Sequence, residues 1–70
     1  MSESVYKVIN LVGTSTSSWE GAAQAAVNAA GQSLQDLRIA EVDKLDMKVE
    51  DGKVVAYRAR VKLSFKYRTG

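Results

Sequence analysis

The C-terminal part of the chain alternates strictly between apolar and polar positions. Every odd position from Val55 to Tyr67 is apolar, whereas the even positions from Arg58 to Arg68 are basic or polar. This period predicts a β-strand with one dry face and one wet face. We expect the odd residues to form the floor of the core and the even residues to cover the other face of a sheet.

The N-terminal part predicts a second strand, over about residues 4 to 12. Both of its faces carry apolar side chains: Val5, Ile9 and Leu11 on one, and Tyr6, Val8 and Val12 on the other. A strand that is apolar on both faces is either buried on both or meets another subunit with one of them.

A helix with its entry loop is predicted over residues 14–35. Ser17 and Glu20 have the spacing of a capping box, and apolar residues then recur at intervals of three and four. This stripe consists of Trp19, Ala22, Ala23, Ala26, Val27, Ala30 and Leu34. Alanine lets the helix lie close to a sheet but buries little area, so the core of a lone subunit should be weak. The hydroxyl-rich turn before the helix favours capping over anion binding, since it lacks the lysine of a phosphate-binding loop.

The remaining residues predict a long hairpin whose turn lies at residues 50–53, because Asp-Gly is a strong hairpin signal. Apolar residues occupy even positions up to Val42 and odd positions from Leu45. One residue near Asp43 or Lys44 must therefore be extra, which predicts a β-bulge.

The predicted fold is α+β, with the order β-α-β-β in one domain over residues 1–70. A right-handed crossover leaves room for the third strand between the first two. We therefore expect a three-stranded antiparallel sheet, in the order 1-3-2, wrapped around one helix.

Composition adds a prediction of self-assembly. The 70 residues contain no cysteine and no histidine, so disulfides and zinc of the usual kinds cannot stabilise a chain this short. Oligomerisation is the remaining solution. No run approaches a membrane span and no leader is seen, so a soluble cytoplasmic protein is expected by default.

Charge separates along the hairpin. Residues 53–68 carry six basic groups and no acid, while residues 36–51 carry six acids and three basic groups. Pairing between the strands or between subunits is the favoured explanation. A nucleic-acid-binding surface is disfavoured, because the aromatic residues and the arginines lie on opposite faces. Catalysis is disfavoured because the usual nucleophile-base pairs are absent, and Trp19 is expected to pack against a strand or a subunit.

Three segments of the chain resemble those of a known protein family. The segments YKVINLVGTS, LRIAEV and VKLSFKYR, in this order around a capped helix, are similar to those of the dodecins. The resemblance implies a strongly bent sheet around the helix and a hollow homododecamer without enzymatic activity. It also implies flavin binding as stacked pairs at two-fold axes.

Two positions depart from the flavin-binding dodecins. The residue two before the glutamate of AEV is tryptophan in those proteins and Ile39 here, and the glutamine after the tyrosine of the hairpin is Arg58 here. Val42 and Asp43 are further equivalents of the flavin pocket. An aliphatic residue offers no stacking surface and arginine accepts no hydrogen bond. Both changes argue against a stacked pair of riboflavin, FMN or FAD.

The pairs Trp19-Glu20 and Asp46-Met47 resemble a divergent, calcium-type branch of the dodecins. Calcium takes six to eight oxygen ligands, and the candidate ligands are Glu20, Glu41 and Asp46. The expected function is therefore binding or buffering of a small ligand or hard cation by a non-catalytic shell. The alternatives are flavin storage that uses Ile39 and Arg58, and a structural assembly or weak nucleic-acid-binding surface.

Overall fold

The computed structural model describes residues 3–67, which form one helix and three strands. The elements are β1 (Tyr6–Ser15), α1 (Trp19–Ser33), β2 (Leu37–Glu50) and β3 (Lys53–Lys66). This order confirms the β-α-β-β prediction. Arg68 and the ends of the predicted domain lie outside the described residues. Within the described range the single helix is too short and too polar to cross a membrane.

The sheet has the strand order β1-β3-β2, and both neighbouring pairs are antiparallel. The predicted topology is thus confirmed, with β3 at the centre. Asp51 and Gly52 form the hairpin turn and have φ angles of 51° and 75°. Two successive left-handed residues match the twist of the flanking strands. The molecule measures 54 × 20 × 14 Å, since the hairpin extends well beyond the helix.

Three register shifts interrupt the pairing of β2 with β3. One of them places Asp43 as an extra residue between the pairs Val42–Val61 and Lys44–Arg60, which confirms the predicted bulge. The other two, at Arg38 and Val55, were not predicted. Such bulges bend and twist a hairpin.

The shift at Val55 also corrects the predicted face of that residue. Val54, and not Val55, lies opposite Val49. The row of odd-numbered residues that forms the floor of the core therefore does not include Val55, whose side chain is exposed. Alternation in the sequence does not reveal this shift, because residues 54 and 55 are both valine.

The core lies between α1 and the middle of the sheet. Its fully buried members come from the helix and from the odd positions of β3: Ala22, Ala26, Ala30, Ala59, Val61 and Leu63. The helical stripe and the middle of the β3 stripe are thereby confirmed, whereas Val55 and Tyr67, at the two ends of the predicted floor, are exposed. Helix and β1 approach so closely that a Cβ at Gly13 would collide with the backbone carbonyl oxygen of Ala22.

The helix begins one residue later than the predicted capping box. Ser18, and not Ser17, is the N-cap, and its hydroxyl accepts the backbone N–H of Gly21 at 2.9 Å. Strand β1 also runs on to Ser15, whose hydroxyl accepts the N–H groups of Ser17 and Ser18 at 3.0 and 3.3 Å. The Ser17–Glu20 box is therefore wrong, because Ser15 already holds the turn and moves the helix start onward.

Candidate binding site

A groove lies between the first two turns of α1 and the inner face of β2. Its volume is about 400 Å³, and its lining is mostly apolar: Trp19, Glu20, Ala23, Val42 and Leu45. Trp19 and Ala23 are neighbours because residues four apart share one face of a helix. Val42 and Leu45 share a face of β2 because the bulge at Asp43 inserts one residue between them.

Trp19 fixes one wall of this groove. Its indole Nε1 donates a hydrogen bond to the backbone carbonyl oxygen of Asp46, at 3.1 Å. The indole ring also meets the ring of Tyr57 edge-on, with centroids 5.1 Å apart. An edge-to-face pair of this kind is favourable. The expectation that Trp19 packs against a strand is confirmed, and the contact ties the helix start to the middle of the hairpin.

Asp46 and Arg58 form an ion pair on the opposite face of the sheet. Arg58 Nε lies 2.7 Å from Asp46 Oδ1 and Nη2 lies 3.0 Å from Oδ2. This two-point hydrogen bond lowers the pKa of Asp46 against an opposing desolvation, with further help from the charges of Arg58 and Arg60. It also raises the pKa of Arg58. The predicted pairing of charges between the strands is thus formed here, and both oxygens of Asp46 are engaged.

One chain does not bring the residues of the predicted flavin set together. Ile39 lies opposite Ser64 and Arg58 lies opposite Asp46. Six positions of β3 separate these pairs, which corresponds to roughly 20 Å. Val42 faces the groove, and Asp43 is the bulged residue.

The carboxylates of the predicted cation set are also separate. Glu20 lines the groove, Glu41 lies opposite Lys62 on the other face, and Asp46 is paired with Arg58. Across residues 3–67, no three acidic, histidine or cysteine side chains gather in a way that could hold a metal ion. Sequence reasoning missed Leu45 and Ala23 as groove residues. Their signals were the change of parity after Asp43 and the i, i+4 spacing to Trp19.

The fold and the groove agree with the comparisons with known proteins. The family model Dodecin matches residues 5–68, and the chain belongs to the dodecin family. A curated relative, calcium dodecin from Mycobacterium tuberculosis, is 48% identical over 65 residues, which cover 93% of this chain and 92% of that protein. The predicted family and the resemblance to its calcium-type branch are confirmed.

Solved structures confirm the fold. Dodecin from Streptomyces coelicolor is 34% identical and superposes with a TM-score of 0.91 over all of both chains. A structure of the Mycobacterium tuberculosis calcium dodecin is 50% identical, with a TM-score of 0.82 over 93% of each chain. That protein is described as a calcium-chelating antigen with a novel calcium-binding site.

Proposed function

We propose that the chain is the subunit of a non-catalytic, hollow homododecamer that binds and buffers calcium or a similar hard cation. The proposal is supported by membership of the dodecin family and by 48% identity to a protein named calcium dodecin. The observation that carries it furthest is the state of Glu20. Of the three candidate carboxylates, Glu20 is the one that lines a groove and has no ion-pair partner among residues 3–67.

The other two candidates are less available. Asp46 would have to leave Arg58 before it could bind a cation with both oxygens. Glu41 lies opposite Lys62, whose positive charge repels a cation. Glu20 is adjacent to Trp19, whose indole forms one wall of the groove and donates a hydrogen bond to the backbone carbonyl oxygen of Asp46.

A single carboxylate cannot satisfy a calcium ion, which takes six to eight oxygens. The proposed site therefore needs oxygens from more than one copy of the chain. Symmetric assembly supplies them, because an axis repeats the same side chain around one point. Binding and assembly are accordingly expected to be coupled.

Flavin storage is the second candidate, and the geometry of one chain weighs against it. Ile39 is 58% exposed but presents no aromatic surface, and Nε and Nη2 of Arg58 each already donate a hydrogen bond to Asp46. A flavin that was bound through this same edge of the guanidinium would have to displace that carboxylate. The test of the first proposal therefore includes a flavin arm.

The experiment is a calcium titration by calorimetry on metal-free protein whose mass has been established by light scattering. Glu20→Gln removes the carboxylate charge and keeps the shape, whereas Glu41→Gln is the matched control on the opposite face. We expect the Glu20 variant to bind at least about tenfold more weakly, since hydrogen bonds and contacts to a charged group are each worth more than 1 kcal/mol. The Glu41 variant should bind as the native chain does.

The results separate the candidates. Loss of calcium binding in Glu41→Gln but not in Glu20→Gln would move the site to the other face. Absence of calcium binding in a confirmed dodecamer, with quenching of riboflavin fluorescence at one flavin per subunit, would replace the proposal by flavin storage. A particle smaller than twelve subunits would overturn the homododecamer.

A further inference from the structure

The face of the sheet that points away from α1 carries two positive charges directly opposite each other, neither of which forms an ion pair within residues 3–67. Arg58, Arg60 and Lys62 alternate along β3 on this face, and Lys44 of β2 lies directly opposite Arg60. Asp46 neutralises Arg58, and Glu41 lies opposite Lys62. Between these two pairs, Lys44 and Arg60 face each other.

Within residues 3–67 this pair is relieved only in part, because Arg60 attracts Asp46 but both oxygens of Asp46 are already bound by Arg58. On its other side Arg60 lies opposite Val12 of β1, which carries no charge. The ion pairs within residues 3–67 do not include Lys44 or Arg60, and both side chains are exposed. Like charges directly opposite each other on two strands are destabilising. A bound anion would remove that repulsion.

The dimensions of the patch indicate a small anion. Neighbouring strands lie about 4.8 Å apart, and residues two apart along a strand are separated by about 7 Å. The free charges of Lys44 and Arg60, with Lys62 beside them, thus span one or two phosphate groups. Glu41 and Asp46 lie on either side of Lys44 along β2, and they would repel a longer polyanion such as nucleic acid.

We propose that Lys44 and Arg60, assisted by Lys62, form a binding site for a small phosphate-bearing anion on the face of the sheet opposite the helix. Arginine supplies planar donors suited to phosphate oxygens, and lysine supplies a point charge. The site is separate from the cation groove, so it does not depend on the proposed function. The ion pair of Arg58 with Asp46 explains why Arg60 and Lys44, and not Arg58, would receive the anion.

The test is a calorimetric titration with inorganic pyrophosphate at constant ionic strength, on the full chain in its native assembly. Lys44→Gln and Arg60→Gln each remove one charge, and Lys53→Gln removes the same charge at the hairpin end of β3. We expect binding to weaken at least about tenfold in the first two variants, as for the loss of one charged hydrogen bond. The Lys53 variant should bind within about twofold of the native chain.

A gain-of-stability variant makes the test independent of folding failures. Lys44→Glu turns the like-charge pair into an opposite pair, so it should raise the thermal midpoint in the absence of pyrophosphate and abolish pyrophosphate binding. Equal binding by the native chain, Lys44→Gln and Arg60→Gln would overturn the proposal. So would absence of binding by the native chain, tighter binding of a DNA oligonucleotide than of pyrophosphate, or dissociation of the assembly by Arg60→Gln.

Discussion

The two strands of the hairpin contain similar apolar residues but use them differently. In β3 the side chains of Ala59, Val61 and Leu63 are fully buried between the helix and the neighbouring strands. In β2 every residue after Leu37 is exposed. The difference arises from position, because β3 is central and contacts α1 along its middle, whereas β2 is an edge strand that extends past the helix.

The exposed strand is therefore better explained by assembly than by the fold of one subunit. Its large apolar residues are about half exposed: Ile39, Val42, Leu45, Met47 and Val49. Val42, Leu45 and Met47 share the face that carries the core, whereas Ile39, opposite Ser64, lies on the other face. Exposed apolar surface of this kind marks an interaction site, and an unpaired edge invites a further chain. We therefore expect the same hairpin to provide the core with one strand and a surface for other copies with the other.

The largest effect should come from closing the space between the helix and β1. Gly13→Ala places a Cβ against the carbonyl oxygen of Ala22, and neither backbone can move far. We expect a loss of roughly 3 kcal/mol or more in the free energy of unfolding, at the upper end of overpacking costs. Urea denaturation followed by circular dichroism measures it.

Gly31→Ala is the matched control for this substitution. A Cβ at Gly31 meets nothing within 4 Å, and alanine is favoured over glycine inside a helix by about 1 kcal/mol. The control should therefore raise stability slightly. If both variants lost stability to the same extent, the close contact at Gly13 would not be the cause.

The next effect compares one leucine from each strand of the hairpin. Leu63 is 0% exposed and Leu45 is 51% exposed. Leu63→Ala should lower the free energy of unfolding by about 2–5 kcal/mol, as expected for a cavity in a packed core. Leu45→Ala should cost less in the fold of the subunit but should weaken the assembly.

Light scattering at several subunit concentrations distinguishes these outcomes, because the stability of an oligomer depends on concentration. A Leu45 variant that keeps its full mass at the lowest concentration would contradict an interface on β2. A Leu63 variant that unfolds like the native chain would contradict the assigned core.

A smaller effect is expected at the tie between the helix and the hairpin. Trp19→Phe keeps an aromatic edge near Tyr57 but removes the hydrogen bond from the indole to the carbonyl oxygen of Asp46. Loss of one such bond costs about 1 kcal/mol. Urea denaturation followed by far-ultraviolet circular dichroism suits this variant, since it lacks the indole chromophore. A variant as stable as the native chain would show that packing on Tyr57 alone holds the tie.

Much of this fold could be predicted from residue patterns because the patterns are governed by local physics. The period of two in β3, the alanine stripe of α1 and the Asp-Gly turn each specify one element. The bulge at Asp43 was visible because apolar residues change from even to odd positions across it. The bulges at Arg38 and Val55 were not visible. Arg38 is the second residue of its strand, so no alternation precedes it, and Val55 follows another valine, so a shift by one residue leaves the pattern unchanged.

The site was harder to predict because it depends on contacts between distant segments. Glu20 and Val42 were candidates for different ligands, yet both line one groove. Ile39 and Arg58 were candidates for the same ligand, yet the register of β2 and β3 keeps them apart. Spacing along the chain contains no information about such three-dimensional distances. A pocket shared between copies is harder still to predict, because its residues come from different chains.

The smallest expected effect concerns the ion pair between β2 and β3. Because Arg58 lowers the pKa of Asp46 in the folded chain, the pair stabilises the fold most above the ordinary aspartate pKa of about 4. This contribution should fade as the pH falls below that value and Asp46 becomes protonated. Both side chains are exposed, so solvent keeps the effect modest.

Asp46→Asn and Arg58→Gln should each flatten the stability profile in acid, and the double variant should behave like either single one. Additive losses in the double variant, or a carboxyl carbon signal of Asp46 that titrates at the ordinary pKa by nuclear magnetic resonance, would show that the pair does not connect the strands in solution.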